Sequence, residues 1–405
     1  MEQTLKNKTG KVSNLLSQLN ESATLAMARI SRELAQQGFD VVSLSLGEPD
    51  FDTPDSIKQA AKDALDNNIT HYPPVNGFLE VRKAVAAKFK RDNGLHYSAD
   101  QIVISTGAKQ AIANAIYALV NPGDEVIMPS PFWVSYAELV KLVGGIPVLI
   151  NATVENEFKI SPQQLKDAIN EKTKLIIYSS PCNPTGSVYS KSELEAFAEI
   201  IESYEELYVI SDEIYELINF SGKSASIASV GNMIERTITV NGVSKAFAMT
   251  GWRIGYIGAP KWIADACSKM QGQITSGANS IAQMATKAAV EADPDMVTPM
   301  INVFKSRRNL VYDLLMDIPG LKVNKPEGAF YFFPDVSSYF GKRDGDTVIH
   351  NATDLSTYLL QKEYVAVVTG EAFGDENCIR ISYAASEDIL REALKRIKRG
   401  LSNLA

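Results

Sequence analysis

An α/β architecture, with a mainly parallel sheet covered by helices on both faces, is expected for most of this chain. A smaller α+β unit is expected at its C-terminal end. Three observations carry that expectation. Short β-branched runs alternate with helical patterns from about residue 102 to residue 240. The residues with chemical potential fall where those runs end, the side on which ligands gather in such sheets. At 405 residues the chain is long enough for a large unit plus a small one.

The elements follow in order. Residues 1–20 are polar apart from Leu15, Leu16 and Leu19, and read as an arm or short helix. A helical pattern from Ala23 to Gln37 is closed by Gly38. Val41 to Leu46 reads as a strand. Thr53 as N-cap and Pro54 at the first helical position open a helix to about Asn67. After the turn-rich Thr70-His71-Tyr72-Pro73-Pro74 comes a helix ended by Gly94. Strands are then expected at 102–104, 125–128, 146–150, 175–178, 207–210 and 238–240. Helices at 107–120, 134–143, from Ser161-Pro162, and at 191–203 separate them. Beyond about Asp293 come a long helix through Met316, the aromatic run Ala329 to Phe333, a helix near Leu355, strands at 365–368 and 379–381, and a helix opened by Ser386. The expected division is 1–50 as arm and part of the small domain, 51–295 as the large domain, and 296–405 as the small domain.

Composition narrows the function. Hydrophobic residues make up 45% and charged residues 22%, ordinary for a globular protein in water. The net charge is −8 with both signs mixed along the chain, which argues against a nucleic-acid surface. No apolar run approaches the ~20 residues of a membrane span, and the N-terminus has no signal-peptide core. Three scattered cysteines suggest the reducing cytoplasm, and three histidines without ligand spacing argue against a metal site.

The most informative stretch is Ser244-Lys245-Ala246-Phe247-Ala248-Met249-Thr250-Gly251-Trp252-Arg253-Ile254-Gly255. Taken alone, a lysine is a surface charge. Here Lys245 follows a buried-type strand and sits among small and apolar residues. Desolvation and a nearby cation, for which Arg253 is the candidate, would lower its pKa and free the amine as a nucleophile. Four other stretches sit at strand ends. Ser105-Thr106-Gly107-Ala108-Lys109 opens a helix whose first N–H groups suit a phosphate, although neither GxxxxGK[ST] nor GxGxxG is present. Trp133 follows Pro129-Ser130-Pro131-Phe132. Asn183 lies in the rigid turn Ser180-Pro181-Cys182-Asn183-Pro184-Thr185-Gly186. Ser211-Asp212-Glu213-Ile214-Tyr215 offers two carboxylates, of which Glu213 is the second choice because it alternates to the other face. Arg380, inside the apolar run Ile379-Arg380-Ile381, must find a partner.

Together these stretches resemble class I aminotransferases, fold-type I enzymes that use pyridoxal 5'-phosphate (PLP). The resemblance runs from Gly47-Glu48-Pro49-Asp50 to Arg380-Ile381-Ser382-Tyr383. The form SKAFAMTGWRIG is similar to the bacterial aspartate aminotransferase branch, which includes prephenate aminotransferases. The resemblance implies a seven-stranded sheet and Lys245 as the lysine that carries PLP. Gly107, Ala108, Lys109, Ser244 and Arg253 would hold the phosphate, with Tyr72 reaching across a homodimer interface to the partner's phosphate. Trp133 would stack on the ring, Asn183 and Tyr215 would meet its hydroxyl oxygen, and Asp212 its nitrogen. Arg380 would fork the substrate α-carboxylate, with Asn183, Trp133 and Gly47 beside the substrate.

Two departures stand out. Gly242 and Val243 leave Ser244 as the only hydroxyl just before the lysine. No arginine lies between Arg253 and Arg307, where the best-studied aspartate aminotransferases keep their distal-carboxylate arginine. In the branch resembled here a lysine at the position of Lys109, with a threonine matched by Thr24, takes that part. The implied substrates are amino acids and 2-oxo acids, with aspartate, 2-oxoglutarate and prephenate as the pairings. Other reactions on this fold stand beside that reading, such as alanine or aromatic transamination or C–S lysis. A PLP-binding regulator would need a DNA-binding segment, for which the chain offers neither the length nor the basic residues.

Overall fold

The computed structural model of the chain describes residues 12–17, 19–222 and 224–405. The part of the expected arm before Val12 lies outside the described residues. Helices α1 (Asn14–Ser17) and α2 (Ala23–Gln36) lead into the two-residue strand β1 (Val42–Ser43). Next come α3 (Asp55–Asp66), α4 (Leu79–Lys88), and then β2 (Ile102–Ser105) with α5 (Ala108–Leu119). The sheet continues through β3 (Glu125–Ser130), α6 (Ser135–Leu142), β4 (Ile146–Asn151), α7 (Pro162–Ala168), β5 (Thr173–Ser179), α8 (Lys191–Glu202), β6 (Tyr208–Asp212), β7 (Thr237–Gly242) and β8 (Gly255–Gly258).

These strands form a seven-stranded sheet in the order β2-β8-β7-β6-β5-β3-β4. The four central pairings from β7 to β4 are parallel, and β8 runs antiparallel to both its neighbours. The inner strands read as continuous apolar runs because both their faces are covered, while the edge strand β4 stays partly exposed. Val126, Met128, Leu175, Ile177, Ile210 and Val240 pack under α5, with Ile112 and Ile116, and under a later helix carrying Ile263 and Cys267. The alternate residues Ile127, Ile176 and Val209 pack against Leu165 of α7 and Leu194, Phe197 and Ile201 of α8. The C-terminal ends of β2, β5, β6 and β7 consequently share one edge, where Ser105, Ser179, Asp212 and Gly242 sit.

The remaining elements are α9 (Lys261–Ile274), α10 (Ser280–Glu291), α11 (Thr298–Met316), β9 (Tyr331–Phe332), the hairpin β10 (Arg343–Asp344) with β11 (Thr347–Val348), α12 (Ala352–Glu363), β12 (Val365–Ala366), β13 (Val368–Thr369), β14 (Ile379–Ser382) and α13 (Glu387–Ser402). Strand β1 pairs in parallel with β12, Val42 opposite Val365, so chain from near the N-terminus is built into the C-terminal part. β13, β14 and β9 form an antiparallel sheet that presents Arg380 from its middle strand. Among the described residues no helix is long and apolar enough to cross a membrane, and no cluster of His, Cys, Asp and Glu could hold a metal ion.

Several expectations change in detail. The strand expected over Val41–Leu46 is regular only at Val42–Ser43, because β12 offers a partner for only two residues. The single strand expected over 365–368 is two, since the chain passes from β1's partner to a separate sheet. Thr53 does not cap α3. Pro54 takes the N-cap position, while the Thr53 hydroxyl donates to the Ala248 carbonyl at 2.7 Å and accepts from Trp252 Nε1 at 3.1 Å. That pins the chain entering α3 to the Lys245 segment. Strand β8 and helices α9 and α10 have no counterpart in the sequence reading. Gly255-Tyr256-Ile257-Gly258 is too short and glycine-rich to stand out. Its Gly255 is forced by packing, because a Cβ there would overlap the Ala108 amide.

Candidate active site

A cavity of about 250 Å³ opens at that shared strand edge. Its wall includes Thr24, Gly47, Ala108, Lys109, Trp133, Asn183, Asp212, Tyr215, Ser244, Lys245, Arg253 and Arg380. Residues more than 350 positions apart are thus brought together: the Thr24 hydroxyl lies 3.5 Å from Arg380 Nη2.

The lysine segment starts where β7 ends. Lys245 Nζ donates to the Gly47 carbonyl at 2.6 Å and stands 5.8 Å from the Tyr215 ring centroid. Burial lowers its pKa to about 8, and the Arg380 charge adds to that effect more than Arg253 does. The cation expected for this purpose was Arg253, so the stronger partner comes from the opposite wall. Arg253 itself adopts a left-handed backbone at φ 57° and donates from Nη1 to the Thr250 carbonyl at 2.9 Å. Its guanidinium lies against Gly107, where any Cβ would collide with it and where φ is 84°.

Helix α5 begins at this point. Gly107 and Gln110 use their amides locally, but those of Ala108 and Lys109 have no hydrogen-bond partner among the described residues. Two free N–H groups at the positive end of a 12-residue helix, a guanidinium and the Ser244 hydroxyl gather donors that suit an anion. The Lys109 ammonium sits 5.0 Å from the Trp133 ring centroid. Burial, then Arg253, lowers its pKa.

Asp212 ends β6 and is 4% exposed. Tyr136 Oη donates to its Oδ2 at 2.7 Å, and the Ile214 amide to its Oδ1 at 3.3 Å. Burial still pushes its pKa up to about 6, so the carboxylate is short of a positive partner. Glu213 faces away. Its Oε1 accepts from Ser211 and Ser226 at 2.9 and 2.6 Å on the far side of the sheet, and it does not reach the cavity. Trp133 stands edge-on to Tyr136, with centroids 5.5 Å apart.

Arg380 is 2% exposed. Nη1 donates to Asn183 Oδ1 at 3.0 Å and Nη2 to the Ser45 carbonyl at 2.6 Å, while Nε has no partner. No carboxylate lies within ion-pair distance of it among the described residues. A buried guanidinium left in that state is arranged for an anion that enters from outside. Tyr72 stands apart from the other candidates. It is 93% exposed and does not line the cavity of its own chain.

Two tyrosines in the wall had no place in the sequence reading. Tyr136 is hidden in a helical pattern, and Tyr331 in an aromatic run that looks like core, which it also is. Only three-dimensional neighbourhood distinguishes them from packing residues.

The chain matches the profile of the family "Aminotransferase class I and II" over residues 40–397. It is 47% identical over 385 residues to the bifunctional aspartate aminotransferase and glutamate/aspartate-prephenate aminotransferase of Petunia hybrida, covering 94% of this chain and 80% of that one. It is 46% identical to a probable aspartate/prephenate aminotransferase of Rhizobium leguminosarum bv. phaseoli, covering 96% and 98%. Among solved structures, the aspartate aminotransferase of Rhizobium meliloti superposes with a TM-score of 0.94 at 39% identity, covering 98% and 100%. The Thermus thermophilus aspartate aminotransferase with maleate superposes with a TM-score of 0.91 at 40% identity, covering 96% and 100%. Matched by the family model over residues 40–397 and by these relatives over nearly its whole length, with a buried lysine and an unpaired arginine on one cavity of this fold, the chain belongs to the class I and II aminotransferase family.

Proposed function

We propose that the chain is a PLP-dependent aminotransferase that moves the amino group between aspartate or glutamate and 2-oxo acids, prephenate among the acceptors. The observation that carries this reading is the Lys245 amine, its pKa lowered to about 8, in one cavity with Asp212 and the anion-ready Arg380. The residues fit the cofactor. The free amides of Ala108 and Lys109, with Ser244 and Arg253, suit its phosphate. Asp212, lacking a positive partner, suits a protonated ring nitrogen, and the indole of Trp133 suits a flat ring. When bound, PLP takes up the amino group of one substrate, gives it to the next, and draws electrons from the substrate Cα.

The chain's own residues do the rest. Arg380 forks the α-carboxylate and fixes the amino acid's orientation, and Asn183 keeps that guanidinium in place. The Lys245 amine would take the proton from Cα as base and, as acid, pass it to the cofactor carbon that carries the amino nitrogen. Asp212 would keep a proton on the ring nitrogen, and Tyr215 would donate its hydroxyl proton to the ring oxygen. Lys109 and Thr24 bind the distal carboxylate, which makes the preferred substrates dicarboxylic. The maleate named with the Thermus thermophilus enzyme is a dicarboxylate, and supports that choice.

A homodimer belongs to the same reading. Tyr72 is presented on a loop held by Ser280 Oγ to the Ile69 carbonyl at 2.7 Å and by Gln271 Nε2 to the Val75 carbonyl at 2.6 Å. A large aromatic side chain left exposed on a braced loop supports a role in the partner's cavity.

The test is a set of half-reactions. PLP-loaded protein is mixed with L-aspartate, L-glutamate, L-alanine or L-phenylalanine, and loss of its visible band is followed. Rapid loss with aspartate and glutamate alone is expected. Loss with alanine or phenylalanine in their place would remove Lys109 as reader of the distal carboxylate.

A further inference from the structure

Tyr331 lies at the centre of the cavity's wiring, although neither its sequence context nor its burial marks it. It is 1% exposed. Its hydroxyl is 2.8 Å from that of Tyr215, and neither hydroxyl has another hydrogen-bond partner among the described residues. The Arg380 guanidinium is held between two aromatic rings, 4.6 Å from the Tyr331 centroid and 4.8 Å from that of Phe373. The same hydroxyl covers the Cα of Gly47, where a Cβ would overlap it. Gly47 in turn supplies the carbonyl that accepts from Lys245.

Two hydroxyls joined to each other share one proton between their oxygens and leave one proton free. Both hydroxyls line the cavity and either could donate, but were Tyr215 the donor, its single proton would be spent on Tyr331 and none would remain for the ring oxygen. With Tyr331 as donor, the free proton belongs to Tyr215, which faces the cavity.

We propose that Tyr331 is a positioning residue with two separable parts: its hydroxyl donates to Tyr215 Oη and turns the Tyr215 proton toward the ring oxygen, and its ring face holds Arg380 in the plane that receives the α-carboxylate. The proposal rests on the reading of the site given above. It joins the part that binds the substrate carboxylate to the part that adjusts the cofactor, through one side chain. A hydrogen bond donated to Tyr215 makes that phenol a stronger donor in turn.

The two parts separate by substitution. Tyr331→Phe removes the hydroxyl and keeps the ring. PLP-loaded Tyr331→Phe should show its visible titration midpoint raised by about 0.5–1 pH unit, the size expected for loss of one hydrogen bond. Its KM for aspartate should stay within about twofold. Tyr331→Leu removes both parts, and should raise the midpoint equally and the KM roughly tenfold, as expected for a lost cation–π contact. In a Tyr215→Phe background, Tyr331→Phe should shift the midpoint no further, because the hydroxyl acts only through Tyr215.

An unchanged midpoint in Tyr331→Phe, or an equal shift in both backgrounds, overturns the proposal. So does a KM that rises as much in Tyr331→Phe as in Tyr331→Leu. Should Tyr331→Leu fail to fold, judged by its melting curve, the Phe variant and the Tyr215→Phe background still decide the matter. A wild-type chain that acquires no visible band with PLP would overturn the reading of the site itself, a failure seen before any variant is made.

Discussion

In the proposed reading Lys245 is both nucleophile and proton carrier, and its lowered pKa makes a direct prediction. The free amine fraction grows through about pH 8, so incorporation of PLP into the cofactor-free chain should speed up from pH 6 to pH 8 and level off above. Stopped-flow growth of the visible band measures this. A rate still climbing beyond pH 10 would mean an ordinary exposed lysine. Lys245→Ala should lose roughly a thousandfold or more in turnover and hold PLP only reversibly. Arg380 is a different case, since its planar fork has to be kept. Arg380→Lys retains charge but not the two parallel donors, and should cost about 3 kcal/mol, roughly a hundredfold in kcat/KM for aspartate, with little change in PLP affinity. Much of this site could be read from the chain alone. Lys245, Asn183, Asp212 and Arg380 each sit in a short segment whose chemistry conflicts with its apolar setting, and that conflict is visible in one dimension. Tyr136 and Tyr331 agree with their apolar settings, so nothing in the sequence separates them from core. The larger influence of Arg380 over Arg253 on Lys245 depends on a wall formed by chain 135 residues further on, which spacing does not reveal.

The end of strand β6 sets two carboxylates in adjacent positions, Asp212 as its last residue and Glu213 as the next. Pleating sends Asp212 to the cavity and Glu213 to the opposite side, where Ser211, Ser226 and a buried environment receive it. Burial, reinforced by Glu216, pushes the Glu213 pKa up to about 8, far above the ~4.3 of an unfolded chain. The folded chain therefore holds a proton that the unfolded chain gives up. The stability contributed by that proton is complete below about pH 4, and is lost as pH rises through about 8. Glu213→Gln keeps the acceptor oxygen and cannot ionise. Its melting temperature should match that of the wild type near pH 4 within a few degrees and exceed it at pH 9, by an amount corresponding to about 2 kcal/mol or more. Equal alkaline losses in both proteins would show that Glu213 is not the titrating group. The alternation that separates these carboxylates was legible in the sequence, as were the six parallel strands, because residues buried on both faces give unbroken apolar runs in all but the edge strand β4, whose run is apolar yet partly exposed. What stayed illegible are elements defined by their partners. β8 is recognisable only between β2 and β7, and the breaks between β12 and β13 come from a change of sheet rather than a change of composition.

In the whole molecule the decisive question is where Tyr72 works. The single chain closes its cavity with groups from the sheet edge, from the C-terminal unit and from the segment before β1, yet it leaves Tyr72 in solvent on a braced loop. If Tyr72 serves the partner's phosphate cradle, each site of a dimer takes Lys245 from one chain and Tyr72 from the other. Complementation then follows from geometry. In a hybrid of one Lys245→Ala chain and one Tyr72→Ala chain, one site carries both changes and the other carries neither. Tyr72→Ala alone should weaken PLP binding about tenfold by loss of one hydrogen bond to a charged group. Lys245→Ala alone should be inactive. Unfolding and refolding the two together, at equal concentrations, should make half of the dimers hybrids, each with one intact site. Activity at limiting PLP should then exceed the average of the two unmixed proteins severalfold. Activity equal to that average would place Tyr72 in its own chain's affairs, or in none, and the shared-site dimer would have to be abandoned while the single-chain chemistry of Lys245 and Arg380 stood unchanged.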